Sequence, residues 1–432
     1  FFSLTERLAR AGMGNVSSFM IEGAQSLSKL PHDQQLAVLD RAESLSATSV
    51  EAVGAFIRTA PSVLERVSEA QLDTWFNTGI EFLTENPDGG VAYFRLESVR
   101  AEQLLDQLSS SIELERVRGV LSLYANALAG TEVELQPVDD LTHRNIGWVS
   151  VETATTDGSR VFLPSLIDGY PSKDENFSWL KVVTTHQIGH IEFDSFDFEF
   201  KRGGSRFEGM RQSLADALEV VPSSTDVASF FDLFPVRAIA ADLFSVVEDA
   251  RVDHRVTERY RGLASTYAKI QETTLETRPD IEKLPAQQAL MEMLIQISLG
   301  RDTVSVPSLY TDQAKQLAAM LKMVQHNDAS VEDSSEAALR MYHLLSQVPN
   351  QPVDEDQWEE LVLDDVEFDE PSLADVIANI RAQAEEADQE AGEEYESPED
   401  VEYRGDFKPE MVQLLARMRS QPADSDDESG EG

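Results

Sequence analysis

Over residues 1–130 apolar side chains recur at helical spacing, as in Leu36, Leu39, Ala42 and Leu45 and then Val53, Phe56 and Ile57. Breaks are expected at Leu30-Pro31-His32-Asp33, at Ala60-Pro61-Ser62 and at Asn86-Pro87-Asp88-Gly89-Gly90, where proline, glycine and short polar residues punctuate the pattern. Helix follows helix in two-helix units. This predicts an α-solenoid-like scaffold over 1–130, although no repeat is strict enough to name a class. The pairs Trp75-Phe76 and Tyr93-Phe94 are expected to fill its packing layers, not a ligand site.

Over residues 132–166 the period changes. VELQPV and WVSVETATTDGSRVFLP are rich in β-branched residues, and Asp157-Gly158 is a hairpin signal between two strands. A short sheet is therefore expected just before residues 181–200, KVVTTHQIGHIEFDSFDFEF. Minimal zinc peptidases have this order of strands and helix, with an edge strand that can hold an extended substrate by strand addition. A hairpin that merely caps a helical domain would give the same pattern. Gly203-Gly204 closes the stretch, helices are expected at about 207–221 and 236–260, and Pro285 opens another buried helix. After Val348 the chain turns acidic and poor in core residues, as in VDEDQWEELVLDDVEFDEPSLADV, which is the signature of solvated or disordered chain; an acidic strip that docks a basic surface is the other reading. VEYRGDFKPEMVQLLARM recovers helical order before the acidic QPADSDDESGEG. The expected fold is mainly α: a helical-repeat region (1–130), a zincin-like α+β domain with a small sheet (131–348), an acidic, largely disordered linker (349–400), and a short helix with a further acidic linker (401–432).

Composition narrows the chemistry. There is no cysteine among 432 residues, so any metal must be held by histidine and carboxylate. A formal charge of −44 argues against nucleic-acid phosphates and anionic membrane surfaces as partners. No apolar run reaches the length of a membrane span, and the start lacks the basic region and cleavage site of a secretory signal. The expectation is a soluble, cytoplasmic protein, and a start at Phe1 is read as a piece of a longer chain.

His186 and His190 stand four apart, so on a helix both imidazoles leave one face. That is the spacing with which H-E-x-x-H offers two nitrogens to one Zn²⁺. The second letter here is Gln187, and an amide cannot take a proton from an attacking water as a carboxylate does. Two helical histidines packed without metal remain the plain alternative. On the later helix, VRAIAADLFSVVEDARVDHRVTERY, Glu248 borders an apolar stripe, where an unpaired carboxylate is costly. Its partner is either Arg251 at i+3 or a metal ion. Two histidines with a distal glutamate are a recurring zinc set, which makes Glu248 the expected third ligand, with Asp249 behind it and Asp253 or His254 orienting a ligand by a hydrogen bond from behind. Three accounts of Gln187 stand side by side. The site belongs to a pseudo-enzyme that keeps its zinc; the glutamine is an engineered change in an active protease; or Glu192 supplies the base, which requires the helix to end at His190.

VFLPSLID, THQIGHIEF, VVEDARVDHRV with its Glu-Asp-x-Arg core, RPDIEKLPAQQAL and YRGDFKPEMVQLL together resemble NorD-like and CbbO-like proteins, the von Willebrand factor A domain-containing partners of MoxR-type AAA+ ATPases. The resemblance spans most of the chain. It implies adaptor work: an AAA+ ring supplies ATP-driven force, and the partner selects a target enzyme for activation. The family's D-x-S-x-S metal site is missing, since Asp427-x-Ser429 is followed by Glu431, so the resemblance puts a von Willebrand A domain beyond Gly432. No Walker A motif is present, so the motor would be a separate chain. The alternative is a zinc metallopeptidase of the gluzincin type whose base position is Gln187.

Overall fold

The computed structural model describes residues 1–109, 111–142, 153–363, 368–387 and 395–420. It is mainly α, with 63% helix and 6% strand. It separates into two units, Phe1–Ile112 with Leu166–Phe177, and Glu113–Ser165 with Ser178–Gly432. No described helix is long and apolar enough to cross a membrane.

In the first unit the helix Val50–Leu64 is the axis. It buries Val53, Phe56, Ile57 and Ala60 and packs on the helices Val16–Leu27, His32–Leu45, Glu69–Glu85 and Pro87–Phe94. The strongly packed pairs join a helix to the next or the next but one. Two boundaries follow the expected chemistry. Ser68 and Gln71 form a capping box, and Asn86 caps the helix that Pro87 opens. Pro61 does not break the chain as expected; it lies within the last turn of Val50–Leu64. Trp75, Phe76, Tyr93 and Phe94 are buried together, Trp75 stacking on Tyr93 at 5.0 Å.

The second unit begins earlier than the expected boundary near residue 130, because the helix Leu114–Ala129 belongs to it. Three short strands form one sheet in the order Glu134–Pro137, Arg160–Leu163, Thr155–Thr156, the first pair parallel and the second antiparallel. Gly158, at φ +83°, makes the turn between the antiparallel pair, as Asp157-Gly158 predicts. Residues 148–152 of the expected strand segment, and the expected acidic linker 421–432 with Asp427, Ser429 and Glu431, lie outside the described residues.

The histidine helix, Lys173–Glu192, runs beyond His190 and packs on the helix Arg237–Arg259. Their approach is set by Gly189: a Cβ there would stand 2.7 Å from Val252 Cγ1 and 3.0 Å from Val256 Cγ2. Residues 249, 252, 253 and 256 share one helical face, so the valines that meet Gly189 carry Asp249 and Asp253 toward the histidines. On its other side Arg237–Arg259 packs on the buried helix Val331–Leu345.

The expected linker over 349–400 is corrected in large part. Trp358–Val362 pairs antiparallel with Thr303–Pro307, and the helix Leu373–Ala387 buries Val376 and Ile380. Glu370 pairs with the fully buried Arg340. Acid-rich sequence is ordered here because a few apolar anchors and buried arginines receive it, which composition does not register.

The close helix approach makes Gly189→Val a sharp test. Overpacking costs roughly 1–3 kcal/mol, against a gain of at most ~1 kcal/mol in helix propensity. We expect a lower denaturant midpoint; an unchanged or raised midpoint would contradict the contact.

Candidate metal centre

Each imidazole is oriented from behind. His186 Nδ1 lies 2.8 Å from Asp253 Oδ1. The Asp253 carboxyl resists burial and is held below its usual range by Arg404 and His186, so it accepts and Nδ1 carries the proton. His190 Nδ1 lies 3.0 Å from Ser195 Oγ, whose own proton goes to Glu248 Oε1, so this Nδ1 also donates. Both Nε2 atoms are left with lone pairs, and they face each other at 3.1 Å. Asp249 Oδ1 stands 3.4 Å from the first and 3.3 Å from the second and has no hydrogen-bond partner among the described residues.

Three acceptors therefore converge on one point. Without a cation, a proton has to sit there. Burial alone would strip His186 of its proton, but Asp253 and Asp249 outweigh it and carry its pKa up to about 9. Burial keeps His190 low despite Asp249. Asp249 resists burial and is held well below the carboxylate range by the two rings. The separations also suit a metal, since donors bonded to tetrahedral zinc at about 2.0–2.1 Å lie about 3.3 Å apart. His186, His190 and Asp249 form the group able to hold a metal ion among the described residues. Both rings are fully buried while the Asp249 side chain keeps 14% exposure, so solvent approaches from the carboxylate side.

The third member of the group is Asp249, where the sequence pattern favours Glu248. Adjacent helical residues point about 100° apart. Asp249 shares the face of Asp253, and Glu248 turns to the helix Val331–Leu345. Glu248 is paired with Arg251 at 2.6 Å and accepts from Ser334 at 2.7 Å. It reaches the centre only through Ser195. Burial raises the Glu248 carboxyl, and Arg251 more than offsets it. Asp253 backs a ring and also lines, with His254, Thr257 and Gln271, a polar cavity of about 580 Å³; His254 does not reach the rings.

Gln187 is fully buried beside the histidines. Its Nε2 donates to the backbone oxygen of Arg404 at 2.5 Å. Glu192, the other position considered for a base, accepts from Tyr260 Oη at 2.8 and 2.7 Å and pairs with Arg259. The helix continues to Glu192, so the condition for its turning to the metal face is not met.

Sequence reasoning missed Ser195, Tyr403, Arg404 and Phe407. Tyr403 Oη and Arg404 Nε and Nη2 all reach Asp253 Oδ2 at 2.5, 3.0 and 2.8 Å. Phe407 stacks on His190, 4.4 Å between centroids and 11° between planes. The one local signal was Gly405 between charged residues: it has φ +71°, and a Cβ there would come within 2.2 Å of Ala154 O.

Comparison with protein-family models, curated proteins and solved structures returned no match.

Asp249→Asn is expected to abolish zinc uptake, as is His186→Ala, measured as metal per chain after dialysis. Glu248→Gln is expected to keep one equivalent, yet to lose roughly 3–5 kcal/mol of stability because Arg251 is left buried without its partner. Zinc lost in Glu248→Gln and kept in Asp249→Asn would reverse the assignment.

Proposed function

We propose that this chain is a metal-holding adaptor subunit that does not hydrolyse peptides, works with a MoxR-type AAA+ ATPase ring, and presents a target protein to it. Zinc is the proposed ion, because two imidazoles and one carboxylate without thiolate suit it. The observation that carries the metal reading is the triangle of two Nε2 atoms and Asp249 Oδ1, with both Nδ1 atoms already committed as donors. When bound, zinc supplies a Lewis-acid centre.

The chain's own residues argue against hydrolysis. Gln187 has no basic oxygen to offer, and its amide is engaged with Arg404. Glu192 is held by Tyr260 and Arg259. The edge strand Thr155–Thr156, where an extended substrate would add, is engaged by the chain itself: Asp406 N donates to Ala154 O at 2.7 Å, and Thr155 forms an isolated parallel bridge with Asp406. Gln187 Nε2 donates to the Arg404 carbonyl while its Oε1 has no hydrogen-bond partner among the described residues; an ionised carboxylate at 187 would face that carbonyl with no proton to give. The adaptor role, its ring partner and a cytoplasmic setting rest on the resemblance of its motifs to those of NorD-like and CbbO-like proteins.

Gln187→Glu is therefore expected to lose stability, by roughly 1–3 kcal/mol for the unpaired buried acceptor, and to gain no cleavage of a denatured protein with zinc present. Cleavage above the wild-type blank would restore the peptidase reading. The adaptor reading is tested by mixing the purified chain with a MoxR-type ring from the same cells and following co-elution with and without ATP. Separate elution in both states would remove it.

A further inference from the structure

Residues 401–408 meet the two histidines and the glutamine of the HQxxH face. Arg404 O accepts from Gln187. Tyr403 and Arg404 hold the Asp253 carboxylate whose other oxygen fixes His186. Phe407 lies flat on His190. Asp406 is tied to the sheet edge by its N–H to Ala154 and by its carbonyl, which accepts from Thr155 Oγ1 at 3.0 Å. The following helix, Pro409–Ser420, is fastened by Gln413, which donates to Phe196 O and Phe198 O and accepts from Val227 N.

Ring positions and strap positions are thus mutually dependent. A cation on both Nε2 atoms fixes the two imidazoles, and fixed imidazoles present Asp253 and the His190 face to the strap. From the other side, Tyr403 and Arg404 of the strap hold the Asp253 carboxylate in place by hydrogen bonds, and Asp253 in turn orients the His186 ring. Arg404 Nη1 also donates to Ser298 Oγ at 3.0 Å, so the strap is anchored to a neighbouring helix as well as to the centre.

We propose that docking of residues 401–408 and metal occupancy of His186, His190 and Asp249 are coupled, so that metal loss releases the strap and strap release speeds metal loss. The inference rests on the metal reading. Binding linkage makes the effect reciprocal: each event favours the other by the same factor, typically about 5–150-fold.

The test uses the full chain. Hydrogen exchange of the Asp406 amide is compared in zinc-loaded and chelator-stripped protein, with amides of the helix Val50–Leu64 as the internal control. Zinc transfer to a chelator is then timed for wild type and Phe407→Ala. Exchange at Asp406 faster by about 5–150-fold on stripping, with the control unchanged, is the expected result, and Phe407→Ala should surrender zinc faster. If wild type takes up one zinc but Asp406 exchanges alike in both states, the coupling is wrong and the metal reading stands. If wild type takes up no zinc, the metal reading falls and the coupling with it. Should Phe407→Ala fail to fold, the exchange measurement decides, since it needs only wild type.

Discussion

Two imidazole lone pairs and a carboxylate oxygen pointing at one another inside a protein repel, and the second unit is organised around that repulsion. Glu248, Asp249 and Asp253 bring three negative charges to the centre, and Arg251 and Arg404 bring two positive ones. Glu248 and Asp253 each have an arginine; Asp249 has none within ion-pair distance among the described residues and meets only the two rings. The imbalance of one negative charge falls where the three acceptors converge. A buried charge of that kind persists only when it is answered. A proton answers it minimally, and a divalent cation answers it while also satisfying both nitrogens.

The packing that creates the centre is as specific as its charges. Gly189 lets the two helices approach, and the Asp249-Asp253 spacing on one helix repeats the His186-His190 spacing on the other, so two i, i+4 pairs face each other. The sequence showed the histidine pair, its nearness to a short sheet and the acidic helix that answers it. It could not show the rotational phase of that helix, which separates Glu248 from Asp249. Both residues border the apolar stripe, and only the contact with Gly189 decides which faces the histidines.

The larger misreading lay after Val348. Composition there resembles solvated chain, and a window-based argument sees charge density without seeing its partners. Arg340 for Glu370, and Gln187 and Asp253 for residues 403 and 404, are supplied from distant sequence, in the case of Gln187 and Arg404 from 217 residues away. Tyr403 and Arg404 become core residues only because that distant acid is present to receive them. No period or propensity encodes such a contact.

Gln187 acquires a physical reason from the same contact. A glutamate at this place would lie against the Arg404 carbonyl with two acceptors opposed, whereas an amide donates to it. The amide at 187 and the strap therefore fit as one arrangement: the amide helps to hold the backbone that engages the Thr155–Thr156 edge of the sheet. A donor set able to hold a metal ion, an amide at the base position and an engaged strand edge meet in one place, and the strap that leads into the helix Pro409–Ser420 touches all three.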